Sequence, residues 1–515
     1  MSIPKYLSFV KTRYPLCCNL ILGIILVLAF KPVNLWPLGV LVPTLLLWLW
    51  RREGAIQNNG KNALLAGFMF GLGLFGAGAS WIYVSIATYG NTNWLVAVGV
   101  TLLFIAVLAL FPAIQAYTYQ RFFARFQNVN ALIIFPSTWV VLEWLRGALF
   151  TGFPWLYLGY TQTFTVFAGW AKIFGVYGVS WLCGFLGACI YLCCLSGTTK
   201  RVKTLAVLAI LLSAVLGYGL RQHQFTKPLG APQAVLLVQG NIPQEEKWNP
   251  RNLDHILSTY AKLTGPYLNT PLIVWPENAV PAFPGMVLPF LQALGETARL
   301  FNSAVIIGIP LSNATGKIYY NGALALGAAQ GMYLKRHLVP FGEYVPFEKE
   351  LGPLLQFLHI PMSDFDQGPA QQALLNIHGV PVAIFICYES AYPLAVRAYL
   401  HQAAYVITLT DDSWFGHSFA PYEQEEMEAM RALELERPFI RATNTGITSI
   451  INSNGKITAT APMFRATILQ GTVQAMAGST PWLKHGPWYL LLWLLVMYAG
   501  ACIYAYTHLL SDTDC

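Results

Sequence analysis

The stretch Pro381-Val-Ala-Ile-Phe-Ile-Cys387 is an apolar, β-branched run that ends on a cysteine. The chain has nine cysteines, and eight of them lie in or beside strongly apolar segments. Cys387 alone lies in the polar region that extends from roughly residue 225 to residue 485. Because this region has no second cysteine, it contains no internal disulfide, and the thiol is a candidate nucleophile at the end of a strand.

Two further reactive groups follow β-like runs in the same region. Glu277 lies in Trp275-Pro-Glu-Asn, and Lys335 lies in Tyr333-Leu-Lys-Arg-His. A carboxylate can take the proton of a thiol, and an ammonium group can stabilise the oxyanion of a tetrahedral intermediate. A single glutamate or lysine in a loop is usually solvated, and a single cysteine is often only a small buried residue. Together, the three groups indicate covalent acyl chemistry.

The polar region alternates between short β-branched runs and amphipathic stretches, which predicts an α/β layered domain. In such sheets, functional groups gather at the ends of strands, as they do here. The predicted strands lie at 234–239, 272–275, 304–309, 382–386 and 405–409. Helices are predicted at 252–264, 289–301, 391–402 and 422–436, with hairpins at 319–335 and 447–459.

The composition of roughly the first 220 residues predicts a multi-pass α-helical membrane bundle. Hydrophobic residues make up 56% of the chain and charged residues only 10%, whereas a soluble domain carries about 25% charged residues. A membrane helix needs about 20 mostly apolar residues. Eight stretches qualify: 14–31, 34–50, 63–88, 92–117, 130–150, 170–196, 203–220 and, after the polar region, 487–509. The predicted domains are therefore a bundle of about seven helices (1–225), an α/β domain (226–483), and a C-terminal helix with a short tail (484–515).

Lysine and arginine alternate across these predicted helices. One side carries Lys5, Lys11, Arg13, Arg51, Arg52, Lys61, Arg121, Arg125, Lys200, Arg201 and Lys203, and the other carries Lys31, Arg146 and Lys172. Because the basic side is normally cytoplasmic, both termini are predicted to be inside and the polar region outside.

Several patterns favour structural interpretations. Gly71-Leu-Gly73-Leu-Phe-Gly76 matches a dinucleotide-binding pattern, but it lies inside a predicted membrane helix. Gly67 and Gly71 therefore predict close helix packing. The sequence contains no His-Glu-x-x-His motif and no Cys/His pairs at zinc spacing, so we expect no metal and no cofactor. The sequence has no basic patch with interleaved aromatic residues, so nothing in it indicates binding to nucleic acid.

The order of four motifs carries a family resemblance. They are Trp275-Pro-Glu-Asn, Lys335 with Pro340-Phe-Gly-Glu-Tyr-Val-Pro346, Cys387-Tyr-Glu, and Asp412-Ser-Trp-Phe-Gly416. This order resembles the nitrilase (carbon–nitrogen hydrolase) superfamily. Further motifs resemble the membrane-embedded apolipoprotein N-acyltransferases within it: Ser80-Trp-Ile-Tyr-Val-Ser-Ile86, Glu143-Trp-Leu-Arg-Gly147, Thr151-Gly-Phe-Pro-Trp155 and Gln239-Gly-Asn-Ile-Pro-Gln244.

The resemblance implies a nitrilase-like αββα sandwich on the periplasmic side of a bacterial inner membrane. Cys387 would take an acyl chain from a phospholipid as a thioester and pass it to the α-amino group of a diacylglyceryl-cysteine on an apolipoprotein. Glu277 would be the base and Lys335 the oxyanion-stabilising amine. Glu343 and Glu389 would support the site, with Tyr388 after the nucleophile and Trp248 near the entry. The enzyme is expected to act as a monomer in the lipid bilayer.

One position departs from the family pattern, and two other functions remain open. The family usually has Asn-Asp before Trp-Phe-Gly, whereas this chain has Asp411-Asp412, so Asp411 is left out of the catalytic set. A membrane-tethered amidase for a small soluble amide would use the same triad. A transporter with an outer binding domain fits less well, because few ionisable residues lie in the predicted helices. Three apolar loops, at 283–290, 351–361 and 414–415, favour a lipid substrate over a soluble amide.

Overall fold

A computed structural model describes residues 5–56, 60–90, 93–123, 128, 130–340, 342–344, 365–400 and 402–511. The chain divides into two compact units. The first takes the described residues of Met1–Tyr83, Trp94–His223 and His485–Cys515, and the second takes those of Val84–Asn93 and Gln224–Lys484.

The first unit is helical. Its helices are α1 (Lys5–Val27), α2 (Leu38–Ile56), α3 (Gly60–Gly78), α4 (Trp94–Phe123), α5 (Phe135–Arg146), α6 (Ala171–Cys194), α7 (Lys200–Gln222) and, at the C-terminal end, α14 (Trp488–Ser511). A π-helical turn, Asn130–Ile134, leads into α5. The stretch between α5 and α6 forms three short 3-10 turns, at Leu149–Thr151, Leu158–Gln162 and Val166–Trp170.

Three helical segments of the described chain are long and apolar enough to cross a membrane: Trp94–Arg121, Val166–Cys194 and Lys200–Gln222. A fourth crossing is possible if Gly60–Gly78 and Ile82–Thr88, which meet at 59°, form one bent span. Shorter apolar helices lie at Leu16–Val27, Leu38–Arg51 and Trp488–Gly500. These helices are consistent with a membrane part, and the number of eight crossings stays a prediction.

The basic residues predicted on the sparsely charged side include two with structural contacts. Lys172 is buried, and its Nζ donates to the carbonyl oxygens of Arg221 at 3.1 Å and His223 at 2.8 Å. Arg146 is also buried and donates to the carbonyl oxygens of Phe153 and Trp155. Both charges therefore serve the fold of the first unit.

Helices α3 and α4 approach each other closely at two glycines. A Cβ atom at Gly71 would lie 2.6 Å from Ala109 Cα, and one at Gly67 would lie 2.2 Å from the carbonyl oxygen of Pro112. Backbone atoms cannot give way as a flexible side chain can. The interpretation of these glycines as a packing motif is therefore confirmed.

The second unit contains two large β-sheets. The strands of the first sheet are β2 (Gln233–Gln239), β3 (Leu272–Val274), β4 (Ala304–Ser312), β5 (Tyr319–Gly327), β7 (Met332–Leu334) and β14 (Thr467–Val473). Those of the second are β6 (Ala329–Gln330), β8 (Leu375–Ile377), β9 (Val380–Ile386), β10 (Tyr405–Thr410), β11 (Phe439–Thr443), β12 (Ser449–Ile451) and β13 (Ile457–Thr460). The strand order is β14-β2-β3-β4-β5-β7 in the first sheet and β13-β12-β11-β10-β9-β8-β6 in the second. A separate pair joins β1 (Thr226–Pro228) to β15 (Met476–Gly478).

Alternating side chains hold the two large sheets face to face. In β2, Val235 and Leu237 pack in one cluster with Ile384 and Ile407 of the opposite sheet. The intervening residues of β2 pack under helices on the other side. This period of two is what a strand buried on both faces requires.

Helices cover the outer faces of both sheets. The helices of this unit are α8 (Gln244–Lys247), α9 (Leu253–Thr264), α10 (Leu288–Leu300), α11 (Pro393–Tyr399), α12 (Ala420–Leu435) and α13 (Pro481–His485). Side chains of α9 and α10 pack on the first sheet, and α12 contacts β11 and β12 of the second. The layers are therefore helix, sheet, sheet and helix, as the family resemblance implies.

The five predicted strands are present, and one predicted helix is shorter than expected. The helix predicted at 391–402 extends only over Pro393–Tyr399, because residues Cys387–Ala391 form a 3-10 turn. Pro393 then fits the first helical turn, where its missing N–H has no partner to lose.

The packing of α3 against α4 yields a test of the first unit. Gly71→Val should lower the thermal unfolding midpoint, because overpacking against fixed backbone typically costs about 1–3 kcal/mol. Gly76→Ala on the same helix is the matched control, since a Cβ atom there would meet nothing within 4 Å. Thermal unfolding of the purified protein in detergent micelles measures both. Equal midpoints for the two variants would contradict the close approach.

Candidate active site

The three residues predicted to carry the chemistry each follow a strand. Glu277 follows β3 and Lys335 follows β7, both in the first sheet, and Cys387 follows β9 in the second. All three are buried, at 7%, 1% and 7% exposure. Because the two sheets pack face to face, strand ends from both contribute to one site.

The structure places Lys335 between two carboxylates. Its Nζ lies 3.5 Å from Glu277 Oε1 and 2.8 Å from Glu343 Oε2. Asn321 of β5 joins the same two acids, donating through Nδ2 to Glu277 Oε1 at 2.7 Å and to Glu343 Oε1 at 2.8 Å. Glu343 is therefore part of the cluster that its sequence motif indicated. Asn321 was not predicted, because nothing in its local sequence separates it from an ordinary strand residue.

The electrostatics of the cluster suit a base beside a neutral thiol. Burial raises the pKa of Glu277, and the nearby ammonium of Lys335 opposes that shift. Burial would lower the pKa of Lys335, but the carboxylates of Glu343 and Glu277 outweigh it, so the pKa is raised and the amine stays charged. Burial also raises the pKa of Cys387 well above its usual value, and the Glu277 carboxylate adds to the shift. The resting thiol is therefore protonated and needs a base to become a nucleophile.

Cys387 has a backbone conformation that residues other than glycine rarely adopt. Its φ is +54°, in the left-handed region that costs a residue with a Cβ atom about 1–3 kcal/mol. Its carbonyl oxygen accepts hydrogen bonds from Gln424 Nε2 at 3.0 Å and from Ser390 Oγ at 3.1 Å. These contacts hold the turn that presents the thiol. Neither contact residue was predicted.

Glu389 connects the segment after β7 to the segment after β9. Its Oε1 accepts from the backbone N–H groups of Arg336 at 2.7 Å and His337 at 3.0 Å. Its Oε2 accepts from the N–H of Ile386 at 2.8 Å, and the hydroxyl of Tyr333 lies 3.0 Å from both oxygens. Glu389 thus fixes the spacing between the residues next to Lys335 and those next to Cys387.

The two remaining predicted residues lie at more open positions. Tyr388 is half-buried, and its ring packs edge-on against Tyr392 with centroids 5.0 Å apart. Trp248 is 46% exposed and follows α8. The structure therefore surrounds Lys335 with Glu277 and Glu343, and leaves Trp248 at the surface.

Gly308 of β4 permits the position of Glu277. A Cβ atom at Gly308 would lie 2.2 Å from the carbonyl oxygen of Pro276 and 2.7 Å from Glu277 Cα. The backbone before the base therefore passes directly over this strand. Any side chain at position 308 would displace Glu277.

A second, fully buried ion network lies behind the nucleophile. Arg441 of β11 donates to both carboxylate oxygens of Asp412, at 3.0 and 2.9 Å, and to Glu428 Oε1 at 2.7 Å. Glu428 Oε1 also lies 2.8 Å from Ser390 Oγ, and Arg441 lies 3.2 Å from Gln424 Oε1. Of the two side chains that bind the carbonyl of Cys387, Gln424 is thus held by Arg441 directly and Ser390 through Glu428.

The described residues contain no group of three or more His, Cys, Asp or Glu side chains arranged to hold a metal ion. The absence of a metal or cofactor stays a prediction.

Removing the central cation should destabilise this network. Arg441→Met leaves the carboxylates of Asp412 and Glu428 buried without a partner, and breaking a buried ion pair in this way costs about 3–5 kcal/mol. That corresponds to a fall of about 6 °C or more in the unfolding midpoint. The exposed Arg465 supplies the control, since Arg465→Met should leave the midpoint unchanged. A stable Arg441→Met variant with full activity would show that the network is dispensable.

Comparison with known proteins places the chain in a family. Residues 22–189 match the profile of the apolipoprotein N-acyltransferase N-terminal domain, and residues 235–481 match that of carbon–nitrogen hydrolases. A solved carbon–nitrogen hydrolase from Helicobacter pylori G27 aligns at 16% identity and a TM-score of 0.36, covering 51% of this chain and 93% of its own.

Two curated relatives cover most of the sequence. The apolipoprotein N-acyltransferase of Coxiella burnetii is 43% identical over 90% of this chain and 95% of the relative. That of Methylococcus capsulatus is 41% identical over 90% of this chain and 91% of the relative. At this identity and coverage, this chain belongs to the apolipoprotein N-acyltransferase family.

Proposed function

We propose that this chain transfers an acyl chain from a membrane phospholipid to the N-terminal α-amino group of a diacylglyceryl-cysteine on an apolipoprotein, the step that completes lipoprotein maturation. One observation carries the chemistry: the buried cluster in which Lys335 Nζ lies 3.5 Å from Glu277 Oε1 and 2.8 Å from Glu343 Oε2. Burial and the Glu277 carboxylate raise the pKa of the Cys387 thiol. Family membership supports the substrates.

In the first half-reaction, Glu277 takes the thiol proton of Cys387, and the thiolate attacks the carbonyl carbon of a phospholipid ester. The carbonyl oxygen of the ester becomes an oxyanion, which the ammonium group of Lys335 stabilises. The carbon–oxygen bond to the glycerol then breaks. Glu277 returns its proton to the departing alkoxide, so a lysophospholipid leaves and an acyl thioester remains.

In the second half-reaction, the α-amino group of the acceptor attacks the thioester carbonyl. Lys335 again stabilises the oxyanion, and Glu277 accepts the proton that the amine loses. The carbon–sulfur bond breaks, and the thiolate recovers a proton from Glu277. The raised pKa of Glu277 suits a group that must both accept and return a proton.

The supporting residues are proposed to hold this geometry. Glu343 balances the charge of Lys335, and Glu389 fixes the distance between the loops of Lys335 and Cys387. Tyr388 follows the nucleophile, where its backbone N–H is a candidate second oxyanion donor. Trp248 is exposed enough to meet an incoming lipid, which fits a place near the entry.

Exposed apolar residues in the stretches predicted as apolar loops support a lipid substrate. In the stretch 283–290, which the structure forms as a 3-10 turn at Pro284–Met286 and the start of α10, Met286 is 67% exposed and Leu288 is 48% exposed. Trp414 is 36% exposed. The loop predicted at 351–361 lies outside the described residues. The tethered amidase is not favoured, because the relatives named as acyltransferases match this chain over 90% of its length.

We also propose that the protein acts as a monomer in the bacterial inner membrane, with residues 1–225 and 484–515 in the bilayer and 226–483 in the periplasm. The excess of lysine and arginine on the side assigned to the cytoplasm supports this orientation, because short loops rich in these residues normally remain in the cytoplasm.

The nucleophile is tested by trapping the intermediate. With phospholipid and no acceptor, the peptide that contains Cys387 should gain the mass of a long acyl chain, because no amine is present to take the acyl group from the thioester. Mass spectrometry measures the gain, and Cys387→Ser should abolish it, whereas Cys17→Ser should not. Acyl mass on another residue would refute the assignment. Efficient hydrolysis of a small soluble amide without acylation by lipid would favour the amidase.

The orientation is tested with reporter fusions. Alkaline phosphatase, which is active only outside the cytoplasm, should be active when fused after residue 230 and inactive when fused after residue 515. Green fluorescent protein fused at the same two positions should give the reverse pattern. Phosphatase activity at residue 515 alone would place the catalytic residues on the wrong side for lipoprotein maturation.

A further inference from the structure

A buried ion pair lies beside the base, outside the cluster of Glu277, Lys335 and Cys387. Lys247, the last residue of α8, is 2% exposed, and Asp411, directly after β10, is 3% exposed. The Nζ of Lys247 forms an ion pair with Asp411 Oδ2. The two residues are 164 positions apart in the chain. A buried pair of this kind costs desolvation energy, so its location is informative.

Both members of the pair contact Glu277, at opposite ends of that residue. Lys247 Nζ donates to the backbone carbonyl oxygen of Glu277 at 3.2 Å. The backbone N–H of Asp411 donates to the carboxylate Oε2 of Glu277 at 2.9 Å. The other carboxylate oxygen, Oε1, faces Asn321 and Lys335. The base is thus fixed at its main chain and at both oxygens.

Asp411 is itself rigidly held. Its Oδ1 accepts from the N–H of Ser413 at 3.1 Å and from Ser413 Oγ at 2.5 Å. Asn444 Nδ2 lies 3.3 Å from the same oxygen, and Asn444 is fixed through both of its amide atoms to the backbone of Ile242, at 3.0 and 2.8 Å. The N–H that Asp411 offers to Glu277 therefore has little freedom to turn away.

We propose that Lys247 and Asp411 are a positioning pair for the base: together they orient the carboxylate of Glu277 toward the nucleophile and keep the charge around it balanced. This inference rests on the proposed role of Glu277 as the base. Both residues act through Glu277, which they contact at its carbonyl oxygen and its carboxylate.

The charge balance follows from the groups that face Glu277. They are Lys335 and Lys247, which are cationic, Glu343 and Asp411, which are anionic, and the neutral thiol of Cys387. The two positive and two negative neighbours cancel each other, so the net charge of the group is the single negative charge of Glu277. Burial would raise the pKa of Asp411, but Lys247 outweighs that effect and the pKa is lowered, so Asp411 remains an anion beside the base.

The pair can be tested by removing one charge at a time from the full-length protein in detergent micelles. Lys247→Met leaves the Asp411 anion uncompensated, which raises the pKa of Glu277 and moves the acid limb of Cys387 reactivity to higher pH. Asp411→Asn keeps the backbone N–H and leaves the Lys247 cation uncompensated, so the limb moves to lower pH. Each shift should be about one pH unit or more. The double variant should return close to wild type.

The readout is the alkylation rate of Cys387 by iodoacetamide, followed by mass spectrometry of its peptide across a pH series. This reaction needs no lipid substrate. Lys262→Met, at an exposed position on α9, is the matched control and should overlay the wild-type profile. A purely structural role for the pair would lower the amount of folded protein without moving the two profiles in opposite directions.

Glu277→Gln separates the failure of this inference from the failure of the proposed base. If Glu277→Gln keeps the wild-type acid limb, Glu277 is not the base. If that limb is lost, but Lys247→Met and Asp411→Asn overlay wild type or shift in the same direction, the positioning pair is refuted. Should Lys247→Met fail to fold, the isosteric Asp411→Asn decides: a shift to lower pH supports the pair, and no shift or the opposite shift overturns it.

Discussion

The ammonium group of Lys335 lies away from water between the carboxylates of Glu277 and Glu343, and its charge constrains the rest of the site. A lone buried cation would be strongly unfavourable, so it must have anionic partners nearby. Those partners carry one negative charge more than Lys335 neutralises. Burial raises the pKa of Glu277, so its carboxylate is a stronger base than that of an exposed glutamate, and the charge of Lys335 limits the rise. The reactivity of the thiol is therefore set by a carboxylate that is both buried and paired.

The geometry of this cluster depends on the contact between the two sheets. Glu277 and Lys335 belong to one sheet and Cys387 to the other, so no single local segment fixes their separation. Glu389 spans the gap, because its two oxygens accept from the backbone on both sides. A carboxylate used in this way acts as a spacer of fixed length, which explains why an acidic residue directly after the nucleophile segment is useful without reacting itself.

The sequence predicted the strands and the three reactive residues because each signal is local. An apolar, β-like run just before Glu277, Lys335 or Cys387 can be recognised within about ten residues. Asn321, Gln424 and Arg441 escaped prediction because their partners are distant in the chain, and an arginine in a strand has the same local pattern whether its partner is solvent or a buried acid. Asp411 was set aside as an extra carboxylate, and its significance emerges only beside Lys247, 164 residues earlier.

The membrane part was predicted less sharply for a physical reason. Hydropathy reports how apolar a stretch is, but not where a helix bends or ends. The stretch predicted as one helix at 130–150 begins with a π-helical turn, and its α-helix covers only Phe135–Arg146. The stretch at 63–88 is bent by 59°. Glycine spacing was the better guide, because Gly67 and Gly71 report directly on how closely two backbones approach.

The left-handed backbone of Cys387 bears on how the domain can evolve. The conformation that presents the thiol opposes folding, and the hydrogen bonds from Gln424 and Ser390 offset that cost. A glycine at this position would relieve the strain, so the fold would gain stability by discarding its nucleophile. A substitution at this residue that stabilises the fold therefore removes the activity, and only selection for the reaction keeps a side chain there.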